Sequence, residues 1–109
     1  MLALSERVWH IPQLLNPEQC QQLLALAEEH GFVAAQVRAA TGTRAMPQVR
    51  NNLRAQLPSP EWVKVLLQAL TIHALPSIVG RVACGLPCGL RYYQYLPQQR
   101  FKMHKDGPW

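Results

Sequence analysis

Residues 91–106 read RYYQYLPQQRFKMHKD, with aromatic-rich segments on either side of a proline-containing turn. Aromatic residues favour β-strands, and a short polar connection is typical of a chain reversal. The pattern predicts an antiparallel hairpin in which the strand ending near Tyr95 pairs with a strand carrying His104. A type I turn is expected at Pro97 and Gln98, because a type II turn would place the non-glycine Gln98 at positive φ.

His104 and Asp106 are the candidate metal ligands of this hairpin. Residues i and i+2 of a strand point to the same face, so an imidazole nitrogen and a carboxylate oxygen could reach one ion. Such a pair supplies two thirds of the 2-His-1-carboxylate triad that holds non-haem Fe(II). The alternative is a surface histidine beside a solvated aspartate that binds no metal, because the sequence His-X-Asp is common by chance.

The residues around the pair carry a resemblance. Positions 91–107 match, in register, a pattern of the form Arg-aromatic-Tyr-X-Tyr-X-Pro-Gly-Gln-X-aromatic-X-X-His-X-Asp-Gly, with Gln98 in place of the first glycine. This segment resembles the first core strands of the prolyl 4-hydroxylase-like branch of the Fe(II)/2-oxoglutarate dioxygenases. The resemblance extends more weakly to residues 49–52, to a helix around Trp62 and to residues 11–20, and so covers the N-terminal half of that domain.

The resemblance implies roles for individual residues. His104 and Asp106 would be the first two iron ligands, and Tyr95 would donate its hydroxyl to the distal carboxylate of 2-oxoglutarate. Arg91 could add positive potential near the same dicarboxylate, with a solvated edge residue as the alternative. Fe(II), 2-oxoglutarate and ascorbate are the implied cofactors. The implied reaction couples oxidative decarboxylation of 2-oxoglutarate to C–H hydroxylation of a peptide, such as a prolyl side chain, or of a small molecule.

The resemblance also implies that two groups of the family's active site are missing from this sequence. Complete members of the family have a second histidine and a basic 2-oxoglutarate ligand downstream of the His-X-Asp pair, and this sequence reaches Trp109 before either. We therefore expect residues 1–109 to be the N-terminal part of a single dioxygenase domain, without a linker or second domain. The expected fold is α+β, with N-terminal helices packed on the first antiparallel strands of a truncated double-stranded β-helix, or jelly roll. Such a chain should be inactive alone. The rival hypothesis is a non-catalytic remnant or interaction module.

Two helices are predicted ahead of the hairpin. Asn16 and Pro17 give an N-cap followed by proline at the first helical position, Gln19 completes a capping box, and Gly31 is the natural stop. Cys20, Leu23, Leu24 and Ala27 would form the apolar side of this helix. Ser59, Pro60 and Glu61 predict a second helix, which Pro76 should end near His73 or Ala74. Between the helices, residues 32–37 look like a strand and residues 38–58 like an irregular loop, and residues 80–89 suggest a short strand and turn.

Composition excludes several classes of function. Of the 109 residues, 49% are hydrophobic and 16% charged, which excludes a disordered tail. The net charge of +5 comes from scattered arginines rather than from a basic stripe, so no nucleic-acid partner is expected. No apolar run is long enough for a membrane span, and no signal peptide is evident, so we expect a cytoplasmic protein with reduced cysteines. Open strand edges make self-association an expectation.

Two other groups of residues have a functional and a plain interpretation. Cys84 and Cys88 could suggest zinc, but structural zinc needs four ligands, and buried thiols in a Gly-Pro loop are favoured. Arg44, Arg50 and Arg54 could bind an acidic partner or contact substrate, although a solvated charged face is the commoner explanation. Tyr93 is expected to pack in the core.

Overall fold

The computed structural model describes residues 1–39 and 42–106, and it is a mixed α+β structure, as predicted. One unit comprises Met1–Ala25 and Pro58–Leu90; the other comprises Leu26–Leu57 and the chain from Arg91 onward. The helices are α1 (Pro17–His30) and α2 (Pro60–Thr71). The strands are β1 (Leu2–Ser5), β2 (Val8–His10), β3 (Val33–Ala34), β4 (Gln36–Ala39), β5 (Gly42–Ala45), β6 (Leu53–Pro58) and β7 (Gly89–Gln94).

Helix α1 begins with the predicted capping box. The backbone N–H of Gln19 donates to Asn16 Oδ1 at 2.8 Å, and the N–H of Asn16 donates to Gln19 Oε1 at 2.9 Å. The helix ends before Gly31, whose φ of 88° suits glycine and whose N–H donates to the Ala27 carbonyl. Fewer residues of the predicted apolar side are buried than expected, because Ala27 is buried whereas Cys20 and Leu24 are exposed.

Helix α2 also begins where the sequence predicts it. Ser59 occupies the N-cap position and Pro60 the first helical turn. The Ser59 N–H donates to the Cys88 carbonyl at 2.9 Å, which ties the start of the helix to the chain before β7. The helix ends at Thr71, two residues short of His73. None of its residues is fully buried, so its apolar face is only partly covered.

The strands form three small sheets. β1 pairs with β2 and β4 pairs with β5, both antiparallel, and the third sheet has the order β3-β6-β7. In the third sheet β3 and β6 are antiparallel, with Val33 opposite Arg54. The strand predicted at residues 32–37 is present as β3 and the start of β4. The prediction of an irregular loop over residues 38–58 is wrong, because this stretch contributes to β4, β5 and β6. Gly42 and Pro47 interrupt the stretch, and the alternation of apolar residues in β6 is short, so the strand signal is weak.

The predicted hairpin around Pro97 is wrong in its pairing. β7 ends at Gln94 and neighbours β6, and residues 100–106 form no strand in the structure. Phe101 instead makes an isolated antiparallel bridge with Arg50. The chain does reverse at the predicted place, where the Gln99 N–H donates to the Leu96 carbonyl at 2.9 Å. Gln98 has φ of 69°, so the turn is type II rather than the expected type I.

The buried interior is small. Among the described residues, the buried hydrophobic side chains are Ala27, Ala35 and Ala55, and the largest fully buried side chain is Asn52. Large apolar side chains on β1 and β2 are exposed, including Leu2, Leu4 and Val8. Within the described part of the chain, no helix has the length and apolar character needed to cross a membrane.

Candidate functional site

The segment that carries His104 is held by a short antiparallel contact with residues 49–51. The Lys102 N–H donates to the Val49 carbonyl at 2.9 Å, and the Asn51 N–H donates to the Arg100 carbonyl at 3.0 Å. These two bonds flank Arg50 and Phe101, which are therefore a non-hydrogen-bonded antiparallel pair. In such a pair the two side chains lie close together on one face. The backbone thus places the Phe101 ring against the Arg50 side chain.

The structure brings the two predicted metal ligands together, although they lie outside any strand. His104 Nε2 is 3.2 Å from Asp106 Oδ1. The Asp106 side chain is 90% exposed and that of His104 is 37% exposed, so the pair lies at the surface, where an ion can reach it. The predicted juxtaposition is present, but coil geometry rather than strand alternation produces it.

A second contact fixes which nitrogen of His104 carries a proton. His104 Nδ1 lies 2.7 Å from the Lys102 carbonyl oxygen. A carbonyl oxygen only accepts hydrogen bonds, so Nδ1 must be the donor. Nε2 then faces Asp106 Oδ1 at 3.2 Å, a position from which both atoms could contact one cation.

The geometry of the pair fits a metal ion. Two donor atoms bound cis to one octahedral ion at about 2.1 Å each lie about 3 Å apart, close to the observed 3.2 Å. A hydrogen bond from the other ring nitrogen to a carbonyl is the usual way in which a metal-binding histidine is oriented. Over residues 1–39 and 42–106, however, no three His, Cys, Asp or Glu side chains form a group that could hold a metal. The described residues therefore offer two candidate ligands, His104 and Asp106.

Phe101 is stacked between two planar groups. The His104 ring lies 3.6 Å from the Phe101 ring, centroid to centroid, with an angle of 10° between the planes. The Arg50 guanidinium carbon lies 3.9 Å from the same Phe101 centroid. The two groups must cover opposite faces of Phe101, because on one face they would overlap. Arg50, Phe101 and His104 thus form a three-layer stack.

Arg50 is the candidate residue whose surroundings the sequence does not reveal. Its predicted solvated position is wrong: the residue is 6% exposed, and its guanidinium also lies 5.1 Å from the Tyr93 ring centroid. Arg50 Nε donates to Asn52 Oδ1 at 3.0 Å, and its buried Nη2 has no hydrogen-bond partner among the described residues. Arg54 is half-buried in β6, and the Arg44 side chain lies outside the described residues. The three arginines therefore do not share one solvated face.

The predicted 2-oxoglutarate residues lie along β7 and just after it. Arg91 and Tyr95 are both exposed, Tyr95 by 51%, and neither side chain makes a hydrogen bond or ion pair with the described residues. Their donors are thus available to a dicarboxylate, but the structure shows no contact between them and His104 or Asp106. Tyr93 is 46% exposed, so its predicted core position is wrong. Tyr92 faces inward instead, and its buried hydroxyl has no partner in the described chain.

The cysteines do not form a second metal centre within the described chain. Cys20, Cys84 and Cys88 are all exposed and unpaired. Cys84 lines an apolar groove of about 390 Å³ together with His73 at the end of α2, but no further ligand joins them. Among the described residues, the arrangement that could bind a metal ion is therefore that of His104 and Asp106. Comparison of the chain with protein-family models, curated proteins and solved structures gives no match.

Proposed function

We propose that this chain supplies the His-X-Asp half of an Fe(II)/2-oxoglutarate oxygenase site. His104 Nε2 and Asp106 Oδ1 would hold the ion, and the 3.2 Å between these atoms is the observation that supports the proposal. When bound, Fe(II) and 2-oxoglutarate supply the oxidising chemistry that hydroxylates a C–H bond of a peptide or small molecule. The same proposal includes the fold family: the small sheets would be the first strands of a jelly roll.

The chain's own residues have distinct tasks in this proposal. The Lys102 carbonyl holds the Nδ1 proton of His104 and so turns the Nε2 lone pair toward Asp106. Tyr95 offers a hydroxyl, and Arg91 a guanidinium, to the distal carboxylate of 2-oxoglutarate. A third iron ligand must come from outside the group that the described residues form. A complete site would need that ligand before turnover is possible.

Anaerobic titration tests the metal site. The chain, labelled with 15N in its histidines, is titrated with Fe(II) in the presence of 2-oxoglutarate, and the imidazole resonances are followed. We expect weak, saturable binding that perturbs His104, because two ligands do not complete the triad. His104→Ala and Asp106→Asn should each abolish the saturable component. His30→Ala is the matched control, since His30 is an exposed histidine whose Nδ1 meets a carbonyl but which has no carboxylate partner.

Two results would contradict the proposal in different ways. Unchanged Fe(II) binding in His104→Ala would mean that the ion binds elsewhere. A tight one-to-one complex would mean that another histidine of the chain completes the site, and a tight complex with two chains per ion would mean that a second copy completes it. The second candidate function, a non-catalytic interaction module, is favoured by the lack of a third ligand in the described residues. The interaction-module hypothesis predicts that His104→Ala and Asp106→Asn change only the surface charge and leave metal binding as it is in the unaltered chain.

A further inference from the structure

The three-layer stack connects a buried arginine to the surface histidine of the candidate iron site. At one end Arg50 is 6% exposed, and at the other the His104 side chain is 37% exposed. Phe101 lies between them, with ring-to-group distances of 3.9 Å and 3.6 Å. Flat contacts at these distances leave no room for Phe101 to turn without displacing one of its neighbours. The orientation of the His104 ring is therefore coupled to the position of Arg50.

Arg50 is itself fixed by several contacts. Its Nε donates to Asn52 Oδ1, and Asn52 is fully buried and accepts the Ala35 N–H at its own carbonyl, 3.1 Å away. A second ring, that of Tyr93, lies 5.1 Å from the guanidinium carbon. Planar guanidinium groups stack on aromatic faces in a way that the ammonium of lysine does not reproduce. Arg50 thus forms a rigid support on the buried side of Phe101.

The burial of Arg50 indicates that this residue supports Phe101 rather than binding a ligand. A ligand-binding arginine presents its N–H groups to an open site, whereas Nη2 of Arg50 is enclosed, and aromatic rings lie against the guanidinium. No carboxylate within the described residues makes an ion pair with it. The free energy lost by leaving this buried donor without a partner must be offset by other contacts of the guanidinium, which are the hydrogen bond to Asn52 and the stacking on Phe101.

We propose that Arg50 is a positioning residue for the candidate iron site, acting through Phe101 to hold the His104 ring with Nε2 beside Asp106. The inference rests on the proposed function only for the identity of the ion. Arg50 does not touch the ion in this arrangement. Its effect is on how often the free His104 ring is already oriented for binding, so its loss should weaken metal binding without removing a ligand.

The test combines a metal-free and a metal-bound measurement on the full chain. Stacking on Phe101 should shift the His104 ring protons upfield in the metal-free protein. Arg50→Met, which keeps the length of the side chain but not its planar charge, should reduce that shift. Co²⁺ binds nitrogen and oxygen ligands more tightly than Fe²⁺ does and is the probe for affinity. The dissociation constant for Co²⁺ should rise about tenfold in Arg50→Met, as for other residues that orient a metal ligand.

Matched variants separate positioning from general destabilisation. Arg54→Met makes the same chemical change on β6, away from the stack, and should leave both measurements unchanged. Phe101→Leu removes the middle layer and should reproduce the Arg50→Met phenotype, whereas Phe101→Tyr keeps the ring and should bind Co²⁺ like the unaltered chain. If Arg50→Met does not fold, as judged by circular dichroism, the comparison of Phe101→Leu with Phe101→Tyr decides the matter.

The outcomes are distinguishable from failure of the proposed function. If the unaltered chain shows no Co²⁺ binding at His104, the iron proposal fails, and the His104 proton shifts still report whether Arg50 orients the ring. If the unaltered chain binds Co²⁺ and both Arg50→Met and Phe101→Leu bind it equally well with unchanged proton shifts, the positioning role is wrong.

Discussion

Among the described residues, three non-glycine residues adopt a left-handed backbone conformation in turns: Gln13, Val79 and Gln98. Gln98 has φ of 69° in the turn after β7, and Val79 has φ of 52° in the turn between Ile78 and Arg81. The left-handed region costs an L-residue roughly 1–2 kcal/mol, because its Cβ crowds the following carbonyl. Each position therefore stores free energy that one substitution should release.

Gln98→Gly should stabilise the protein. Glycine removes the Cβ at the position where a type II turn requires positive φ, although it gains freedom in the unfolded chain. The expected net gain is roughly 0.5–1 kcal/mol in the free energy of unfolding, measured by urea titration. Gln98→Ala is the control, since alanine keeps the Cβ and should give no gain. Equal effects of both variants would mean that the conformation of Gln98 carries no cost.

Val79→Asn should also be stabilising. Ile78 and Arg81 exchange two backbone hydrogen bonds at 2.9 and 3.0 Å around Val79 and Gly80, and both central residues have positive φ, the arrangement of a type I′ turn. Asparagine before glycine is preferred there, and Val79 is 82% exposed, so little packing is lost. We expect a gain of about 1 kcal/mol. Val82→Asn, at a 77% exposed position outside the turn, should change the stability little.

At the scale of elements, the ends of the helices are set by local contacts. The capping box of α1 involves residues three positions apart and is readable as a motif. Asn16→Ala removes the side-chain oxygen that accepts the Gln19 N–H, while the backbone N–H of residue 16 remains, and the change should cost about 1 kcal/mol of stability, measured by thermal unfolding. Gln21→Ala, at an exposed position inside the same helix, should be close to neutral. If Asn16→Ala and Gln21→Ala have the same thermal stability, the capping box does not stabilise the helix.

The distance along the chain between interacting residues explains how much of the structure the sequence could predict. Both helix starts, the α+β class, the chain reversal at Pro97 and the proximity of His104 to Asp106 follow from residues a few positions apart. The pairing of Phe101 with Arg50 does not, because it depends on which distant backbone competes best for residues 100–102. That one contact turned Arg50 from a predicted solvated cation into a buried support and replaced the predicted hairpin.

At the scale of the whole molecule, little apolar volume is buried. The buried hydrophobic residues of the described chain are alanines, while strand β1 is exposed along its whole length. A two-stranded sheet such as β1-β2 has unpaired backbone groups on both outer edges. Near the candidate metal ligands, Phe101 is half-buried in the stack, whereas the Met103 side chain is fully exposed.

We expect the purified chain to self-associate through strand edges. Light scattering over a concentration series should give an apparent mass above 12.3 kDa. Leu4→Lys places a charge on β1 and should lower the association, because edge lysines oppose strand pairing. Met103→Lys makes a similar change outside any strand and should have less effect. If both variants act equally, exposed apolar surface in general, rather than the β1 edge, drives the association.

The contact between the segment 100–102 and residues 49–51 also bears on the order of folding. Arg100 and Asn51 are 49 positions apart, and their N–H···Oδ1 bond measures 2.7 Å. Closing a long loop costs chain entropy before any contact compensates for it, so distant pairings tend to form late. The segment carrying His104 and Asp106 should therefore be among the last to settle. Iron added during refolding would reach these two side chains only after the helices have formed, and so would not speed the early steps.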